Sequence, residues 1–232
     1  MISVAVIGGG ASGMAFAVAL KQKRPDIEVT VFEKNPKVLK KILVTGNGRC
    51  NILNFDAVAE NYFEACEFVR PAVEKYAPKK TEAIFRDMGL LLMSEQEGRA
   101  YPISQTAASV VCVLSSAAER AGVKVFTDTP VKSIKKSQGR FVINNDKSFD
   151  FAVIACGGAA APKQGTDGSS FELFKALGIR VTELSPALTG ICVKDMPFSL
   201  KGLRQYCKCT VFSIVNDLTW TNPISSLQII CS

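Results

Sequence analysis

The run Ser3-Val4-Ala5-Val6-Ile7-Gly8-Gly9-Gly10-Ala11-Ser12-Gly13-Met14-Ala15-Phe16-Ala17 decides the fold. Its first five residues are apolar enough for a buried strand, three glycines follow, and an alanine-rich amphipathic stretch from Met14 to about Lys23 predicts a helix. A strand, a glycine loop and a helix in that order are what a dinucleotide site requires. Gly8 allows the tight turn, Gly10 has no side chain to hold a diphosphate away from the backbone, and Gly13 lets the helix pack closely on the strand. The amides of the first helical turn, among them those of Ala11 and Ser12, then face the phosphates with the positive end of the helix dipole behind them.

Working outward, a second apolar run from Ile27 to Phe32 ends in Glu33, which lies 20 residues beyond Gly13. A carboxylate at that strand end can accept both hydroxyls of an adenosine ribose. It would repel a 2′-phosphate, which favours FAD or NAD over NADP. The alternative is a glycine-rich turn with an ordinary surface glutamate. The ordered succession of strand, loop, helix, strand and acid argues against it.

Composition bounds the rest. The chain has 232 residues, 47% hydrophobic and 21% charged, enough for one large domain and part of another. No apolar run reaches the roughly 20 residues of a membrane span, and the first residues do not resemble a signal peptide. The eight cysteines lack framework spacing, so reduced thiols in a cytoplasm are expected. Alternation along a strand would put Cys207 and Cys209 on one face. Histidine is absent, which removes the commonest metal ligand and the usual neutral-pH base. Zinc hydrolysis and Ser-His-Asp chemistry are therefore excluded, and no metal site is expected. The net charge of +7 implies affinity for anions. The basic residues are nevertheless spread along the chain without interleaved aromatics, which argues against nucleic acid as a partner.

Lys41-Ile42-Leu43-Val44-Thr45-Gly46-Asn47-Gly48-Arg49-Cys50-Asn51 can wrap an anion with backbone amides and a guanidinium. Taken alone it reads equally well as a surface hairpin. Residues 56–88 are expected to be helical, with breaks near Pro71 and Pro78, and Gly89 to Met93 to form a short strand. Ser104 is a candidate cap for a helix from about Thr106 to Ala121. Arg99 and Tyr101 fit a site or plain packing equally. Short runs at 123–126, 131–134 and 140–143, separated by turn residues, predict an antiparallel meander inserted as a crossover. The run Phe151 to Cys156, ending at Gly157-Gly158, predicts a buried parallel strand facing a ligand crevice. The fold class is therefore α/β, a Rossmann-like domain with a parallel sheet and an inserted antiparallel meander.

Four segments together resemble the bacterial family of NAD(P)/FAD-dependent oxidoreductases labelled aminoacetone-oxidase-like, which includes reductases acting on dehydrogenated bile acids. They are Gly8 to Gly13 with Glu33, the Lys41 to Asn51 loop, Gly98 to Ser104, and Ala155 to Gly158 continuing to Gly165-Thr166-Asp167-Gly168. The likeness runs from Met1 to about Leu203. It departs at Asn47, where the family usually has glycine, and at Cys156, where it usually has threonine. The resemblance implies an FAD-binding domain over 1–190 and the start of an inserted β-rich substrate domain over 191–232. It implies a flavoprotein that reduces a small organic substrate with NAD(P)H, or oxidises one with O2. By the same token Gly8, Gly10, Ala11, Ser12, Gly13, Glu33 and Lys34 would hold the dinucleotide. Lys41, Gly46, Gly48, Arg49, Cys50 and Asn51 would border it, and Val131, Ala155, Gly157 and Gly158 would shape the crevice. No catalytic side chain is singled out. Family members continue well past Ser232, so the chain reads as C-terminally truncated. A non-catalytic nucleotide-binding remnant is the main alternative, its uncovered apolar surface favouring a homodimer. A flavin-dependent nucleic-acid modifier is the weaker one.

Overall fold

The computed structural model describes residues 1–184, apart from the side chains of 63–65, together with the backbone of 204–209 and 224–230. Chain contacts separate it into Met1–Thr182 and Glu183–Ser232. The expected boundary at 190 falls outside the described residues. In the second unit, Arg204–Cys209 pairs antiparallel with Ile224–Ile230. The ladder shifts register between Cys207 and Cys209, which interrupts the simple alternation expected there.

In the first unit, β1 (Ser3–Ile7) lies between two parallel neighbours, β2 (Glu28–Phe32) and the strand Phe151–Ile154. Successive side chains of a strand point to opposite faces, and both faces of β1 are covered. Val4 and Val6 join Val29 and Val31 against helix α1 (Ala11–Lys23), while Ala5, Ile7 and Phe32 enter a second cluster on the other side. Double-sided burial explains why β1 carries no polar alternation.

Pro78 opens helix α3 (Pro78–Asp87), as a residue without an N–H can at a first turn. The break expected at Pro71 does not occur: α2 (Cys66–Lys75) runs through it. The neighbouring Arg70 pairs with Glu60, Glu67 and Glu74, bracing the turns on either side. A small antiparallel sheet follows, in which β5 (Arg99–Pro102) lies between β3 (Leu53–Asn54) and β4 (Leu92–Ser94). β4 begins later than expected because Leu90 is still tied to Phe85 at the end of α3. Helix α4 (Ala107–Arg120) has Thr106, not Ser104, at its N-cap and no side-chain cap. The Ser104 hydroxyl is already engaged with Ser109.

The meander needs one correction. Lys124–Phe126, taken as its first strand, is β6 of the main sheet and pairs parallel with β2. The meander proper is β7 (Ile134–Ser137), β8 (Arg140–Ile143) and β9 (Lys147–Phe149). Lys132 and Ser133 lie outside it because their amides donate to the Asn144 side chain. Ile134, Ile143 and Phe149 cover the second face of the sheet together with Leu173 of α5 (Phe171–Ala176). Strand β10 (Phe151–Ile154) is an edge of the four-stranded sheet, ordered β10-β1-β2-β6, so Phe151 stays 56% exposed rather than buried. No helix among the described residues is long and apolar enough to cross a membrane.

The chain thus leaves β1 for β2 on one side and returns as β10 on the other. That reversal opens a crevice at the carboxyl end of β1. Its floor depends on Gly13, where a Cβ would collide with the Gly8 carbonyl oxygen and sit 3.2 Å from Val6. Gly13→Ala should lower stability by about 1–3 kcal/mol, the usual cost of overpacking, measured as a reduced urea midpoint with unchanged slope.

Candidate dinucleotide site

A cleft of about 590 Å³ opens at that reversal. One wall is the glycine loop, in which Gly8 takes φ +107, a conformation a side chain rarely tolerates. Strand packing demands the glycine too, since a Cβ there would lie 2.6 Å from the Ala155 carbonyl oxygen. Gly10 differs. It has ordinary extended φ and ψ of −79° and −171°, and a Cβ added to it would meet nothing within 4 Å. The face above Gly10 is open. It leads to the first turn of α1, which has neither a side-chain cap nor an acidic residue to satisfy its amides.

Glu33 stands opposite, 7% exposed, and closes the loop from the other side. One carboxylate oxygen, Oε2, accepts the Gly9 N–H at 2.8 Å. The other, Oε1, accepts the Asn35 N–H at 2.8 Å and the Asn35 side-chain amide at 2.6 Å. Farther along, Leu39 is buried in a left-handed conformation, φ 62 and ψ 14, and donates its N–H to the Gly9 carbonyl at 2.8 Å. The acid and the leucine together fix both polar groups of Gly9.

Of the residues expected at the site, Gly8, Gly10, Ala11, Ser12, Glu33, Lys34, Lys41, Val131, Ala155, Gly157 and Gly158 line this cleft. Gly13 lies beneath it as packing. Gly46, Gly48, Arg49, Cys50 and Asn51 are not part of the wall; Thr45 is the last residue of that loop to reach it. The Arg49 guanidinium faces away, stacked 4.0 Å over the Tyr101 ring and donating to Glu95 and Gln105 at 2.8 and 2.9 Å. Cys50 is buried among apolar side chains, and that burial pushes its thiol pKa up. The loop therefore supports the cleft through Thr45, Ile42 and Lys41 rather than through its guanidinium. Tyr101, 4% exposed under Arg49, is packing.

Sequence reasoning missed the far rim. Lys34 donates to both oxygens of Asp167 at 3.0 Å, and Lys40 donates to the Lys163 carbonyl at 3.0 Å. Asn35 presses against Gly165. These contacts join the segment after β2 to residues 161–169, and both segments line the cleft. The Ser169 hydroxyl and the Lys34 ammonium hold the Asp167 carboxyl well below the usual carboxylate range. The signal for this pairing was the Thr166-Asp167-Gly168 turn, but only three-dimensional proximity joins it to Lys34.

Lysines 34, 37, 40, 41 and 132 line the cleft together with Glu33, Asp167 and Glu172. With Lys34 engaged by Asp167 and Lys40 by a carbonyl, the balance suits a diphosphate. Cys156 donates its thiol to the Ile7 carbonyl at 3.2 Å, so the end of β1 accepts the hydrogen bond that a hydroxyl would otherwise supply. Among the described residues no three His, Cys, Asp or Glu side chains converge in a way that would hold a metal ion.

Residues 2–213 match the model of the HI0933-like protein Rossmann domain. The chain is 37% identical over 213 residues to a 3-dehydro-bile acid delta(4,6)-reductase of Clostridium scindens, covering 90% of this chain and 52% of that protein. It is 26% identical over 184 residues to a ribosomal RNA dihydrouridine synthase of Haemophilus influenzae, covering 76% and 45%. To an L-aspartate oxidase of Pyrococcus furiosus it is 27% identical over 214 residues, covering 85% and 44%. The chain spans about half the length of these curated relatives.

Cys156 offers a chemical probe of the cleft. Burial first, and then the nearby Glu33 charge, push its thiol pKa up to about 11. The proton is lost only as pH rises toward that value, so at pH 8 Cys156 should carry roughly a hundredfold less thiolate than an ordinary thiol. In an iodoacetamide time course read by peptide mass spectrometry, Cys156 should lag far behind the exposed Cys112, and its rate should keep rising until about pH 11.

Proposed function

The chain belongs to the HI0933-like Rossmann-domain family, and from that premise we propose that its cleft binds FAD as part of an oxidoreductase. The diphosphate sits on the amino end of α1 above Gly10, within reach of the Ala11, Ser12 and Gly13 amides. Glu33 receives the adenosine ribose, while Ala155, Gly157 and Gly158 give the remainder of the cofactor a wall without bulky side chains. Bound flavin supplies the two-electron chemistry; the protein binds and orients it. The observation that carries this reading is the open face of Gly10. An unencumbered glycine, an uncapped helix and a buried carboxylate meet there in one cleft.

The reductant in this reading is NAD(P)H and the substrate a small organic molecule. A steroid-like one is favoured by the name of the 37% identical relative. The expected setting is a reducing cytoplasm, consistent with the free thiols of Cys50, Cys66, Cys112 and Cys156. A second reading, a flavin enzyme acting on RNA, draws on the 26% identical relative and on the net charge of +7. Salt-sensitive binding of ribosomal RNA would favour that reading over the first.

Titration of the purified chain with FAD, followed by flavin fluorescence, tests the site. The native chain should bind. Gly10→Glu should weaken binding more than tenfold by filling the cleft and placing a negative charge against the diphosphate, while the unfolding free energy from urea titration stays within about 0.5 kcal/mol of the native value, as for substitutions that meet no neighbour. A native chain that ignores FAD would overturn the proposal.

A further inference from the structure

We propose that the cleft reads one hydroxyl of the adenosine ribose rather than two, because Asn35 occupies a whole oxygen of the Glu33 carboxylate. The inference rests on Glu33 as the ribose acid and specifies how that acid is used. A carboxylate offers about four acceptor positions, two on each oxygen. On Oε1 both are taken, by the Asn35 N–H at 2.8 Å and the Asn35 side-chain amide at 2.6 Å. On Oε2 one is taken by the Gly9 N–H at 2.8 Å, which leaves a single position. A vicinal diol that donated both hydroxyls would need two.

The second position cannot be freed by a small rearrangement. The Glu33 backbone is tied at both ends, its N–H to the Phe126 carbonyl and its own carbonyl to the Thr129 N–H, each at 2.8 Å. The Asn35 carbonyl accepts the Asp128 N–H at 3.1 Å. Its side-chain amide is backed by Gly165, where a Cβ would come within 2.5 Å of Nδ2 and φ is +94. Glycine at that position is what makes room for the amide, and Gly165 is itself closed into a turn by its N–H on the Pro162 carbonyl at 2.9 Å. Only the amide NH2 can face the carboxylate, since the oxygens of Glu33 have nothing to donate. Asn35 is thus a positioning residue: it holds the acid in one orientation and decides how many donors the acid can still accept.

Three ligands separate the alternatives: ADP, 2′-deoxy-ADP and 3′-deoxy-ADP, each titrated calorimetrically into the native chain and into Asn35→Ala. For the native chain, one deoxy analogue should match ADP and the other should bind about tenfold or more weakly, the effect of one hydrogen bond to a charged group. In Asn35→Ala the one Oε1 position vacated by the side chain becomes available while the backbone N–H keeps the other, and the analogue that had matched ADP should now fall behind it. Equal weakening of both analogues on the native chain would show that two hydroxyls are read and would overturn the inference. So would ADP binding that is indifferent to both deletions. Failure of ADP itself to bind would instead remove the dinucleotide reading beneath it, so the two failures are distinct. The native-chain comparison stands even if Asn35→Ala does not fold.

Discussion

A carboxylate buried at the end of a strand has to be surrounded by donors, because leaving it unpaired away from water costs several kcal/mol. Glu33 meets that requirement with three N–H groups from two segments, Gly9 after β1 and Asn35 after β2. The bond to Gly9 has the widest consequences. It holds the glycine loop against the neighbouring strand end, fixes the direction in which α1 departs, and keeps the helix amides aimed into the cleft. The carboxylate that holds the loop is also one that lines the cleft. A substitution at Glu33 would disturb the loop as well as any ligand on it.

The main sheet gives that interaction its setting. With β2 on one side of β1 and β10 on the other, the crevice needs no special loop to create it; it follows from strand order. The two faces of the sheet are then covered by different means, α1 and α4 on one and the small meander with α5 on the other. The carboxyl ends of the strands stay uncovered and open into the cleft.

How much of this was legible depended on the range of the interactions involved. The first strand, the glycine loop, the helix after it and the acid at the end of β2 are local patterns, and each was readable from spacing alone. β6 was not. Val123-Lys124-Val125-Phe126 alternates like a meander strand, and only its pairing with Thr30, Val31 and Phe32 shows that it belongs to the main sheet. The partners of Arg49 were hidden for a similar reason. Nothing local announces that a guanidinium beside two glycines will find Tyr101, Glu95 and Gln105 rather than a phosphate. The contact of Asn35 with the acid two residues before it, and that of Asp167 with Lys34 more than a hundred residues away, went unremarked because no motif encodes either relation.

The pairing of Lys34 with Asp167, backed by Lys40 on the Lys163 carbonyl, ties together two segments far apart in the chain. It closes one side of the cleft with contacts that are themselves open to solvent. An exposed ion pair of this kind is held shut by weak attraction that dissolved counterions compete for. The join between these two segments should therefore loosen as the ionic strength of the surrounding electrolyte rises.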